Sequence, residues 1–280
     1  MHYEALADEP AGTVAAAASS LQDASAQDTV WIATPVRLLA GLSTVHVGNI
    51  VALDAQTRAQ LASDFNQAFH DSGHRLHALE PDTLILTSSK LRLAETMEPA
   101  RCLGSNALAT LAQGSGAGAL LQLGSEIEMW LYTHPSTAGR VSTLWLWGGG
   151  GNYLMIANAD RHRPRQETVF GSEPFVSGLA RLGGQDMRPA PAQFDESLFA
   201  DTDRTLVVLE TWRMMSDAGD TPESVLRALD ERWIAPAQAL ANRGEIEQLV
   251  LLANDRQITY RGRDRLKRWR RVRRGLAALA

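Results

Sequence analysis

Ser142-Thr143-Leu144-Trp145-Leu146-Trp147 runs straight into Gly148-Gly149-Gly150-Gly151. An apolar run of strand length that ends in residues lacking Cβ atoms belongs inside a sheet. There the glycines let another stretch of backbone, or a ligand, come close. The chain must therefore bring something onto that turn, and Trp147, Gly148, Gly149 and Gly150 are candidate ligand-turn residues.

The rest of the chain supplies layers to cover such a strand. Val30 to Ala33 is a short apolar strand, ended by Thr34-Pro35. Leu42 to Ala52 suggests a second strand or a hairpin. Asp54 caps a predicted helix reaching His70, with Leu61, Phe65 and Phe69 on one face. Leu84 to Thr87 is a strand, and Ala119 to Thr133 a helix stopped by His134-Pro135. Gly114-Ser115-Gly116-Ala117-Gly118 lacks the Lys-Ser/Thr ending of a phosphate loop and is expected to be a turn. Helices are predicted over 172–182, from Thr221 to Trp233 and from Pro236 to Arg243. Thr205 to Glu210 is a strand, and Leu249 to Ala253 with Gln257 to Tyr260 forms a hairpin. Interleaved helices and strands predict an α/β fold, a mixed sheet flanked by helices. Residues 1–28 are small, polar and aperiodic, and are expected to be a flexible tail. Residues 29–260 are expected to form the α/β domain, with a subdomain break near 138–165.

Charge is unevenly placed. Arg261 to Arg274 holds nine Lys/Arg and one acid, Asp264, a local balance of +8, so the remainder carries −13 of the formal total of −5. An acidic body repels nucleic-acid phosphates, which leaves the end of the chain as the electrostatic contact. Leu266, Trp269, Val272, Leu276 and Leu279 recur at helical spacing, predicting a basic amphipathic helix over 261–280. Its first expected role is to dock through Trp269. Arg265, Lys267, Arg268, Arg270 and Arg271 would then meet an unknown acidic protein partner, ahead of nucleic acid or a membrane surface. The single cysteine, Cys102, is expected to be a plain buried thiol, and its solitude fits a reducing compartment. No apolar run approaches the roughly 20 residues of a membrane helix. The N-terminus lacks a basic stretch leading into an apolar one, so no secretory signal is expected and the expected localisation is cytoplasmic.

Ser125 to Pro135 followed by Val141 to Gly150 resembles a stretch found in bacterial proteins of the RpfE regulatory type: helix, His-Pro, variable turn, apolar strand, Gly-Gly-Gly. Trp31 to Leu38 and Arg265 to Arg271 are similar to the same group. That group is itself similar to the archaeal-type cofactor-independent phosphoglycerate mutases. The resemblance implies part of the alkaline-phosphatase-like fold, and it adds His134 and Arg140 to the candidate ligand turn.

Mutases of this type need two divalent ions about 4 Å apart, held by Asp and His around a Ser or Thr nucleophile. Where the resemblance implies an Asp-Gly turn after the first strand, this chain has Ala33-Thr34-Pro35. Glu210 stands where a ligand His is implied, Asp220 where the His of an Asp-x-x-Gly-His motif is implied, and Asp255-Arg256 at the late Asp-His pair. A guanidinium repels a cation. His70, His74 and His77 are interrupted by Ser72-Gly73 and are expected to lie on a solvated turn. The expectation is thus a non-catalytic regulatory or scaffold protein, a pseudoenzyme with no catalytic residues, no metal and no cofactor. The alternative is a metal-dependent phosphoglycerate mutase or phosphatase with displaced donors at an acidic site, Glu210, Asp217 and Asp220.

Overall fold

The first strand alternates between two buried faces. Trp31 and Ala33 point to one side of the sheet and Val30 and Ile32 to the other, so helices must cover both. The computed structural model describes residues 10–19, 21, 27–41, 44–79, 82–107, 112–134, 137, 139–151, 167–183, 185, 187–199, 204–210, 221–253 and 256–263. Contacts divide the chain into two units, Met1–Ala190 with Asp201–Ser216, and Pro191–Ala200 with Asp217–Ala280. The division falls there and not near 138–165, because strands on both sides of that segment belong to the first unit.

In the first unit, β1 (Thr29–Ala40) pairs antiparallel with β2 (Val45–Ile50), β4 (Thr83–Ser88) and β5 (Thr143–Gly150), and β3 (His74–Leu79) pairs with β4. β5 takes one edge of β1. β4 and β2 share the other edge, β4 along Thr29 to Ile32 and β2 along Val36 to Ala40. Between them residues 33–35 have no strand partner on that side among the described residues. The strand does not stop at Pro35 as expected from the sequence. The Pro35 carbonyl accepts from Val51 N–H at 2.8 Å, so its missing N–H faces the same gap and removes no bond to β5.

Helices α2 (Ala55–Ala68) and α3 (Ala117–Thr133) cover one face. Asp54 caps α2 by accepting from Thr57 N–H at 2.8 Å. Leu61, Phe65, Leu123, Ile127 and Leu131 pack there against Trp31, Leu76, Leu86 and Leu144. The opposite face is covered by α1 (Ala11–Ser19) and α4 (Pro174–Leu182), with Val14, Ala16 and Leu182 against Val30, Ile32 and Ile85. Part of the tail expected to be flexible is corrected here: Ala11–Ser19 is a helix in which Val14, Ala15 and Ala16 are buried, an apolar face that polarity alone did not reveal. A second sheet, β7-β6-β8, is parallel: β6 (Glu167–Phe170) lies between β7 (Met187–Arg188) and β8 (Arg204–Val207).

The second unit is a long helix and a hairpin. Thr221 forms a capping box with Ser224 at the start of α5 (Pro222–Leu229). A π-helical turn, Asp230–Ile234, joins it to α6 (Ala235–Arg243), so the two helices expected from the sequence are continuous. The cause is Pro236, which cannot donate to the Arg232 carbonyl and would clash with it. That carbonyl accepts instead from Phe194 N–H at 2.9 Å. β9 (Leu249–Ala253) and β10 (Arg256–Tyr260) make the predicted hairpin. The mixed α/β architecture expected from the sequence is present, with sheets flanked by helices. No described helix is long and apolar enough to cross a membrane.

Candidate functional site

The gap along β1 is the floor of a small, partly open cleft in the first unit. Ile32 to Pro35 form its base and Ile50 to Leu53 one wall. Asp82 to Leu84, Glu98, Trp147, Glu173 and Glu210 surround it. Missing strand pairing at 33–35 and a proline there create the opening, so the site follows from the sheet's own irregularity.

Three carboxyls reach this cleft from three connections. Ser172 and Glu173 follow the carboxyl end of β6, and Glu210 follows the carboxyl end of the parallel β8. Ligands of parallel α/β sheets bind at that end of the strands. Gly171 makes the exit from β6 at φ 144°, where a Cβ would come within 2.7 Å of the Met187 methyl and 3.0 Å of Val208. Glu173 then caps α4, accepting from Phe175 N–H at 3.0 Å and Val176 N–H at 2.7 Å, with Pro174 in the first turn. Ser172 Oγ donates to Glu210 Oε2 at 2.5 Å.

Glu98 arrives on a loop pinned to β5. Trp145 Nε1 donates to the Met97 carbonyl at 2.8 Å, and Gly148 N–H to Thr96 Oγ1 at 3.2 Å. The Cys102 thiol, buried as expected, donates to the Glu98 carbonyl at 3.3 Å. Across the cleft Arg58 is 5% exposed, and its Nη1 donates to the Leu53 carbonyl at 3.0 Å.

Burial pushes the Glu173 carboxyl up to about 7. The Val176 and Phe175 N–H bonds oppose the rise, while the Glu98 and Glu210 carboxyls add to it. Burial also raises Glu98, against nearby Arg101 and with a contribution from Glu210. A carboxyl raised to about 7, as Glu173 is, can exchange a proton or pair with a cationic group near neutrality.

The sequence candidates separate in space. Trp147 lines the cleft, with its Nε1 donating to Thr34 Oγ1 at 2.8 Å. Gly148, Gly149 and Gly150 instead make room for protein. A Cβ at Gly149 would overlap the Trp31 ring, and one at Gly150 would overlap Thr13 Oγ1 on α1. The backbone that approaches the glycine turn is thus the N-terminal helix. His134 is 6% exposed and ties α3 to α2, its Nε2 2.9 Å from Asp64 Oδ2. Arg140 is exposed in the following turn, away from the cleft lining.

Glu210 is brought into the cleft, beside acids that the sequence did not group with it. Asp217, Asp220, Arg265, Lys267, Arg268, Trp269, Arg270 and Arg271 lie outside the described residues.

The histidines take structural partners elsewhere. His74 and His77 lie on β3 and not on a turn, 2.9 Å from Ser88 Oγ and 3.0 Å from Thr87 Oγ1. Burial, and then Lys90, hold His74 below the usual imidazole range. Among the described residues no group of three or more His, Cys, Asp or Glu is arranged to hold a metal ion.

One of the missed acids carried a signal. Glu173-Pro174 before an apolar run has the form of a helix start. Glu98 had no local signal, because its place depends on the bond that Trp145, 48 residues from Met97 in the chain, makes to the neighbouring carbonyl.

Fold and site together define a mixed α/β protein with an acidic, aromatic-walled cleft at the carboxyl ends of parallel strands. No protein-family model matches the chain, and no curated protein matches it. Among solved structures it is similar to the Cofactor-Independent Phosphoglycerate Mutase from Thermoplasma acidophilum DSM 1728. That match is 15% identical, covers 82% of this chain and 68% of that one, and has a TM-score of 0.36. A likeness of that size carries no argument about chemistry.

Proposed function

We propose that this chain is a non-catalytic binding protein of the regulatory kind, and that its cleft takes a small cationic ligand such as an amine. The observation that carries this reading is the meeting of Glu98, Glu173, Glu210 and Trp147 in the lining of one cleft. Carboxyls supply the countercharge and acceptors for an ammonium group, and an aromatic face adds a cation–π contact. A concave site with a few convergent polar groups and raised carboxyls is the usual form of a small-molecule pocket.

The non-catalytic half is supported by side chains engaged in structural bonds. Glu173 caps α4, and Ser172 is bonded to Glu210. The imidazoles His46, His74, His77 and His134 each bond a side chain away from the cleft lining. A role for the C-terminal basic segment as a contact for an acidic protein belongs to the same reading and rests on sequence alone.

The test is calorimetric titration with putrescine and, separately, with 3-phosphoglycerate, alongside a mutase assay with added Mn²⁺. Saturable putrescine binding without mutase turnover is the expected result. Turnover that disappears in Glu210→Ala would replace this reading with that of a phosphoryl-transfer enzyme.

A further inference from the structure

α3 buries one side and leaves the other bare. Leu120, Leu123, Ile127 and Leu131 face the core, as a helix packed on a sheet requires. The outward side should then be polar. On the neighbouring α2 it is: Gln56, Gln60, Ser63 and Gln67 are the exposed residues at that spacing. On α3 the outward line runs through Gly118, Leu121, Ser125, Met129 and Tyr132. Met129 is 75% exposed and Tyr132 86%, the two most exposed large apolar side chains among the described residues, and Leu121 is 38% exposed. One exposed apolar residue needs no explanation, but a line of them at helical spacing does.

We propose that this face of α3 is the interface of a homodimer, with α3 packed antiparallel on α3 of a second copy about a two-fold axis at Ser125. The line is complementary to its own reverse. An axis at Ser125 sets each residue against the one equally far on the other side of it in the second copy. Tyr132 then meets Gly118, and Met129 meets Leu121. Glu128 meets Gln122, an acceptor against an amide donor, and Glu126 meets Gly124. No carboxylate faces another, although α3 carries two acids and no cation. Moving the axis to the next point on the line, between Glu128 and Met129, would push Leu121 past the end of the facing helix. Self-matching of this kind is what a two-fold interface demands, whereas a partner of another kind imposes no such mirror relation on the helix.

The glycines support the same occupant. A Cβ at Gly118 or at Gly124 would meet nothing within 4 Å, so packing inside the chain requires neither. Glycine within a helix costs helix stability. In the dimer, Gly118 is the space that takes the Tyr132 ring, and Ser125 at the axis is small enough for helices about 8–10 Å apart. The polar groups at the contact stay bonded. Ser125 Oγ donates to the Leu121 carbonyl at 3.1 Å, so covering it strands no donor. Gln122 Nε2 donates to Glu126 Oε1 at 3.0 Å and has a second N–H for Glu128 of the facing helix. Tyrosine and methionine are among the residues enriched at interfaces. Leu121, Met129 and Tyr132 expose roughly 400 Å² per copy, and with their flanks two copies come to about 1,000 Å², the low end for a specific interface. The expected affinity is therefore micromolar. The dimer does not depend on what the cleft binds.

The experiment has two readouts on the intact chain. Sedimentation velocity from about 1 µM to about 200 µM is expected to show a shift from monomer to dimer. Met129→Lys/Tyr132→Lys alters two exposed side chains, and is expected to weaken association by roughly tenfold or more. Cross-linking reads the register. Ser125→Cys places two thiols at the axis and is expected to give a disulfide-linked dimer on oxidation. Gln122→Cys places them about 9 Å apart along the helix axis, beyond disulfide reach, and is expected to stay unlinked. Cys102 is buried and does not compete. A wild type that stays monomeric throughout overturns the proposal. So does unchanged association in Met129→Lys/Tyr132→Lys, or cross-linking of Gln122→Cys as complete as that of Ser125→Cys.

Discussion

Glu173 holds a proton at pH values where an exposed glutamate has lost one, because it is buried between two other acids. The folded state therefore binds more protons than the unfolded chain between about 4.5, the ordinary value, and about 7. The stability that follows is fully present below the lower value and is lost as pH rises through the upper one. A shift of that size corresponds to a contribution on the order of 3 kcal/mol. Chemical denaturation between pH 5 and pH 8 is expected to show stability falling with pH, and to show a flatter profile in Glu173→Gln. His134 makes a different contribution. It is buried and bridges α3 to Asp64 on α2, so His134→Ala removes ring packing and strips a partner from a half-buried carboxylate. The expected cost is about 2–3 kcal/mol, read as a lowered denaturation midpoint. Where the sequence led to the expectation of a ligand turn at this histidine, the structure shows its ring tying two helices together.

The glycine turn after β5 shows how an element is legible in part. A strand through Trp147 and a need for close approach were both readable from the residues, since the pattern is local. What approaches was not readable. α1 comes from far earlier in the chain, and its Ala-rich sequence has no alternation against polar residues to announce a buried face. Gly149→Ala tests the packing directly. Its Cβ would overlap the Trp31 ring, which is fully buried and cannot swing away. The expected loss is about 1–3 kcal/mol or more, seen in thermal unfolding, with α1 the first segment to lose exchange protection. Helix α2 was legible almost completely, because Asp54, Leu61 and Phe65 act within a few residues of one another. The π-helical turn was not. Pro236 signalled a break, but the Phe194 N–H that satisfies the Arg232 carbonyl comes from a distant loop.

At the scale of the molecule, the site arises where a sheet fails to pair. β4 and β2 share one edge of β1 and leave residues 33–35 open, and the loops after β6 and β8 bring their acids to that opening. Glu210 was a candidate from the sequence, there grouped with Asp217 and Asp220, which lie outside the described residues. Its neighbours in the cleft were not, because they come together only through a parallel pairing of short strands and a loop pinned by Trp145. The central claim is that these acids and the Trp147 ring form a binding site for a small cation. Calorimetric titration of putrescine at pH 8, above the value of about 7 to which burial raises Glu173, is the most direct measurement. One saturable site is predicted in the wild type, weakened by roughly tenfold or more in Glu98→Gln/Glu210→Gln, with 3-phosphoglycerate giving no binding heat. Equal putrescine affinity in wild type and double variant, or binding of the phosphate compound alone, would contradict the account.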